Sequence, residues 1–230
     1  MFNRIAIALA VLSLAACAAP RPRPVARQLP AQAALPSLPA AGEYRIDSSA
    51  SELRLLVYRA GPLANLGHNH VMVNRAVTGL VQIGTDVPAS SFSLSVRADG
   101  FVVDDTQARQ EEGGDFPGDV PEDAKAGTRR NMLSGAVLNA AEFPDITVKS
   151  ASLAGTLNEL NADLEISAAG HTSRISVPLS LEGDAHHFVA AGSMELRQTA
   201  LGLTPYSLMH GALQVQDAMQ LEFKITVLTN

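Results

Sequence analysis

"SFSLSVR", residues Ser91–Arg97, sets Phe92, Leu94 and Val96 against Ser91, Ser93 and Ser95. Side chains of a β-strand alternate between faces, so this stretch reads as a strand with one apolar and one polar side. The same period recurs on both sides of it. "LRLLVY" places Leu53, Leu55 and Val57 on one face. "ISVPLSLEG" does so with Ile175, Val177, Leu179 and Leu181, and "LEFKITVL" with Leu221, Phe223, Ile225 and Val227. Further strands are predicted at Arg75–Ile83, Asp145–Leu153, Asn161–Ser167, His187–Leu196 and Ala212–Val215. Short strands separated by "AAGHTS", "LEGD" and "AAGS" turns predict an all-β sandwich or barrel. Pro178 lacks a ladder donor and belongs at an edge or a bulge.

The middle of the chain breaks the pattern. "DDTQARQEEGG" and "PEDAKAGTRRNMLSGAVLNAAEFP" predict a helical insertion from Asp104 to Ala141. Pro121 suits its first helical position, and Met132, Leu133, Val137 and Leu138 supply an apolar stripe. An excursion of this length should cover something, such as one end of a barrel. Asp104 and Asp105 precede the helix, where acids favour the macrodipole.

Ahead of the body, Met1–Ala16 has one early arginine and the run "IAIALAVLSLAA", too short to span a bilayer and typical of a signal peptide. Cys17, the only cysteine in the chain, follows Leu14, Ala15 and Ala16. This resembles the lipobox of bacterial lipoproteins, which implies lipidation of Cys17 and a protein anchored to the membrane without crossing it. By the same resemblance, Ala18 favours the outer membrane, facing the periplasm. Residues 17–42 are rich in proline and read as an extended tether, leaving 43–230 as one domain of ordinary size. A formal net charge of −6 and a body without a basic cluster argue against nucleic acid.

Several blocks resemble the YceI-like family of bacterial polyisoprenoid-binding proteins. They are "YRIDSSASELRLLVY", "NMLSGAVLNAAEFPDITVKS", "SAAGHTSRISVPLSL" and "MELRQTALGLTP", in the family's order across Glu43–Asn230. The resemblance implies a lipocalin-like, eight-stranded antiparallel β-barrel, with the helical insertion over one end. Its apolar cavity would hold an isoprenoid lipid such as a polyprenyl quinone or polyprenyl phosphate, with no cofactor required. Cavity candidates are Leu53, Leu55, Val57, Phe92, Leu94 and Val96 from the first strands. The middle block adds Leu133, Phe143 and Ile146, and the later strands add Val177, Leu179, Met194, Leu196, Met209, Phe223 and Ile225.

"NLGHNHVM", Asn65–Met72, leaves three readings open. His68 and His70 beside Gly67 and Asn69 can form a polar turn, or meet a lipid headgroup together with Arg197. They can also be part of a metal site, for which His210 is a third ligand by residue type. Histidines two apart on a strand share a face, but the sequence alone brings no third ligand to them. Enzymatic motifs such as G-x-S-x-G or a P-loop do not occur. A metal-dependent or redox-accessory envelope protein centred on His68 and His70, including catalysis by them with Asp104, and a barrel that only contacts other envelope proteins are the alternatives to lipid binding.

Overall fold

The computed structural model describes residues 37–183 and 187–228. The expected signal segment, Cys17 and the first part of the tether lie outside them. The alternating stretches form long antiparallel staves. The first stave is β1 (Gly42–Ile46) continued by β2 (Glu52–Ala60), and the second is β3 (His70–Asn74) continued by β4 (Val77–Ile83). The third is β5 (Ser91–Arg97) continued by the short β6 (Val102–Val103). Two helices follow, α1 (Thr106–Glu112) and α2 (Glu122–Leu133). The remaining staves are β7 (Asp145–Thr156), β8 (Glu159–Ala168), β9 (His171–Gly183), β10 (His187–Arg197) and β12 (Leu213–Leu228), the last preceded by β11 (Ser207–Leu208).

Each stave pairs with the next in sequence, and β12 returns to the first stave through Arg45↔Leu228 and through Lys224↔Glu52 to Gln214↔Ala60. The result is a closed eight-stranded antiparallel barrel. Closure pairs the edges that an open sheet would leave to other chains. Inside, apolar side chains follow the period seen in the sequence; the two expected strands at Ala212–Val215 and Leu221–Leu228 are parts of the single β12.

The first three staves break at one level, around residues 47–51, 75–76 and 98–101, which bends that wall of the barrel. A bend frees backbone polar groups, and buried ones need partners. Asn74, with no exposed surface, supplies two: its amide donates to the Arg97 carbonyl at 2.9 Å and its oxygen accepts from the Ala76 N–H at 2.8 Å. Ser48 Oγ donates to the Val77 carbonyl at 2.6 Å, and Ser51 Oγ accepts from the Thr226 N–H at 3.0 Å. The strand expected from Arg75 therefore resumes only at Val77. Pro178 pairs in register with Asn161 on one side, while the β9–β10 ladder on the other side stops at Ser180↔Ala191. The missing donor thus falls where the second partner has already separated.

The insertion is two helices with different positions. α1 lies on the outer wall, where Ala108 and Phe116 cover Leu56, Val71 and Val73, the outward residues of β2 and β3. Arg54, also outward, pairs with Glu111 at 2.9 Å and with Glu112, tying the end of α1 to the wall. α2 crosses the end of the barrel. Arg129 pins it by donating to the carbonyls of Phe101 and Asp99, both at 2.7 Å.

Candidate functional site

Two cavities lie end to end along the barrel. The one under α2 measures about 330 Å³ and the inner one about 160 Å³. Successive inward residues of the same strands line first one and then the other: Leu55 and Leu53 on β2, Ile146 and Val148 on β7, Met219 and Leu221 on β12. The inner cavity is walled by aliphatic side chains and phenylalanines, with Ser90 and Ser91 as its polar residues. Leu38, from the stretch expected to be tether, also lines it. Polar groups collect at the α2 end, where Arg59, His68, His70, Thr128, Asn131, Gln198, Tyr206 and Gln214 line the wall. An apolar chamber with a few polar groups at its mouth is the common form of a small-molecule site.

Of the cavity candidates, Leu55, Val57 and Ile146 line the outer chamber. Leu53, Phe92, Leu94, Val96, Val177, Leu179, Phe223 and Ile225 line the inner one. Five line neither. Leu133 and Leu196 are part of the packing around the barrel core, and Met194 packs beside Val177 and Phe223. The Phe143 ring lies against Gly170 in the β8–β9 turn. Met209 is 68 % exposed, because it sits at positive φ in the tight turn between β11 and β12, which aims it outward.

Arg197 does not line the mouth either. It follows inward-facing Leu196 by one residue, so alternation sends it outside, where it faces Asp217 at 3.9 Å. The arginine at the mouth is Arg59, which extends the Leu53–Leu55–Val57 face by one step. That extension was readable in the sequence.

His68 and His70 meet Asp104, the residue that the catalytic alternative grouped with them. A short turn ending at Gly67 leads into β3, and Asn69 between the histidines is fixed from both sides. Its oxygen accepts from the Arg59 N–H at 3.1 Å and its amide donates to the Asp115 carbonyl at 2.8 Å. The two rings therefore stand on one side, centroids 4.4 Å apart and inclined at 64°. Asp104 enters from the end of β6, fully buried. Its Oδ2 lies 2.8 Å from His70 Nδ1 and 3.5 Å from His68 Nε2.

The other carboxylate oxygen, Oδ1, accepts from the Val71 N–H at 3.0 Å and from Arg109 Nη1 at 2.7 Å. Arg109, only 2 % exposed, is itself held by the carbonyls of Asn69, Pro117 and Gly118. Burial acts to raise the Asp104 carboxyl, yet the flanking His68 and His70 and the Val71 N–H hold it well below the usual carboxylate range. Asp104 sits at φ 54°, a left-handed conformation that non-glycine residues rarely take. Of the acidic pair expected to favour the helix macrodipole, Asp105 caps α1, its side chain accepting from the Ala108 N–H at 2.9 Å, while Asp104 turns into the histidine cluster. His210, the third ligand considered from the sequence, is not part of the cluster; it is exposed in the turn before β12.

No relative was found among curated proteins. Among solved structures, the chain is similar to BcnA of Burkholderia cenocepacia, at 12 % identity and TM-score 0.57, covering 79 % of this chain and 98 % of that one. It is similar to a polyisoprenoid binding domain from Saccharophagus degradans implicated in plant cell wall breakdown, at 12 % identity and TM-score 0.52, covering 81 % and 98 %. A mutant YCEI protein of Campylobacter jejuni matches at 8 % identity and TM-score 0.51, covering 69 % and 84 %. At such identities the likeness is one of fold. The YceI-like domain model matches residues 44–227, nearly the whole described barrel, and on that extent the chain belongs to the YceI-like domain family.

Proposed function

We propose that the barrel binds and shields a long-chain isoprenoid lipid, a polyprenyl quinone or polyprenyl phosphate, as a carrier, store or scavenger rather than an enzyme. The observation that carries this reading is the pair of end-to-end apolar chambers with polar groups gathered at one end. A prenyl tail fits the inner chamber by chemistry, and a headgroup fits the mouth near Arg59, His68 and His70. The polyisoprenoid binding domain of Saccharophagus degradans, which shares the fold, lends support. Burying a methylene contributes about 0.8 kcal/mol, so each enclosed five-carbon unit adds on the order of 4 kcal/mol. The lipobox-like sequence at Cys17 supports a lipid-anchored protein of the cell envelope, held at the outer membrane and facing the periplasm.

Leu94 provides the test, since it points into the inner chamber opposite Gly79. Leu94→Arg introduces a charge into an apolar wall and should abolish retention of a fluorescent prenyl probe while circular dichroism reports an intact barrel. A folded variant that retains the probe as the unaltered protein does would overturn the reading.

A further inference from the structure

We propose that His68 Nε2, His70 Nδ1 and Asp104 Oδ2 form a binding site for a divalent first-row transition metal, with zinc as the reference ion, at the mouth of the barrel cavity. The site does not depend on the lipid reading. Its three donor atoms lie within 4.8 Å of one another. Ligands at zinc bond lengths of about 2.0–2.2 Å in a tetrahedron stand roughly 3.3 Å apart. The 2.8 Å and 3.5 Å separations from Asp104 Oδ2 straddle that value, and the histidine nitrogens lie within 4.8 Å of each other, so side-chain rotation of the two histidines brings the three donors to one ion.

The donor chemistry suits the ion: two imidazoles and a carboxylate are a borderline N/O set, which favours zinc and its first-row neighbours over calcium or magnesium. His68 Nε2 is shielded from solvent and, among the described residues, faces only the Asp104 carboxylate, with Oδ2 3.5 Å away, so both histidine nitrogens converge on one carboxylate oxygen. The supporting contacts are those of a ligand held for coordination. Asp104 is aimed by Arg109 and the Val71 N–H on its other oxygen, leaving Oδ2 to the histidines. Outer partners of this kind orient ligands and sustain affinity.

The site is also open. Both histidines line the outer chamber, so with three protein ligands the remaining coordination position faces the cavity. Water or an oxygen donor of a bound molecule would occupy it.

The test uses the full chain without a polyhistidine tag, stripped with chelator and dialysed against one equivalent of zinc or of cobalt(II), whose visible absorption reports its coordination. One equivalent should be retained, and cobalt should give the strong bands of a four- or five-coordinate N/O site. His68→Ala, at a ring that is 35 % exposed and so tolerant of truncation, should weaken binding by more than the roughly 10–100-fold that loss of an outer partner costs. His70→Ala should do the same, and His210→Ala should bind as the unaltered chain does. Thermal melts of each stripped variant establish folding. Failure to retain either ion, or retention undiminished in folded His68→Ala, would overturn the proposal whatever lipid the barrel holds.

Discussion

Replacing Asp104 by asparagine keeps the side chain's shape and removes its charge, which isolates the role of the buried carboxylate. Asp104 has no exposed surface and Arg109 only 2 %, and their 2.7 Å contact is a buried ion pair. Breaking such a pair from one side costs about 3–5 kcal/mol, because the remaining charge keeps its desolvation penalty. Arg109 retains three carbonyl acceptors, and an amide oxygen at position 104 can still accept from the Val71 N–H, so the low end applies, about 3 kcal/mol. In a domain of this size about 1 kcal/mol moves the melting midpoint by roughly 2–4 °C, giving a fall of about 6–12 °C. Asp105→Ala is the internal comparison: it removes a helix cap and should cost about 1 kcal/mol. Urea titration with chelator present, monitored by circular dichroism, measures both. If Asp104→Asn proved no more costly than Asp105→Ala, Asp104 would be an ordinary acid beside a helix end, worth about 0.3–1 kcal/mol, and not the partner of a buried ion pair.

Two further perturbations probe the wall around the site. Asn74→Ala leaves the Arg97 carbonyl and the Ala76 N–H without their side-chain partner at the bend, and should destabilise the barrel by about 1–3 kcal/mol for each group left unsatisfied; a change under about 0.5 kcal/mol in the same titration would remove Asn74 as the brace of the bend. Tyr58 packs against Phe116 under the insertion, and burial, reinforced by Asp115, Glu112 and Glu222, pushes its hydroxyl up to about 12. Its folded value exceeds its unfolded one, so the stability it contributes is complete below the usual tyrosine range and is lost as pH rises through about 12. Tyr58→Phe should lack that alkaline loss, and a phenolate absorbance titration should lack the corresponding late component; identical alkaline profiles would contradict the placement of Tyr58.

The barrel was legible because its interior is apolar and its exterior polar, which writes a period of two into β5, β9 and β12. The bend was less so: in "VNRAV" two polar residues are followed by two apolar ones, a lapse in the alternation that does not say how the chain turns, and the cross-strand contacts of Asn74 show it. Asp104 was named beside His68 and His70 only as a catalytic alternative, for a related reason. Beside Asp105 it looks like helix punctuation, and its partner His70 lies 34 residues away in sequence. Met209 and Phe143 show that an apolar residue in a turn carries no sign of which way it points. Arg197 differs from these: its parity relative to Leu196 already placed it outside, and alternation was the better guide than its nearness to a turn.

Native mass spectrometry of the chain, prepared without strong detergent, reads occupancy of the cavity by an isoprenoid lipid without any label. A lipid-filled barrel should show an added mass of hundreds of daltons that is released on activation as a prenyl quinone or prenyl phosphate and is missing from Leu94→Arg. A folded chain that carries no such mass, and takes up none when offered prenyl lipids, would contradict that occupancy.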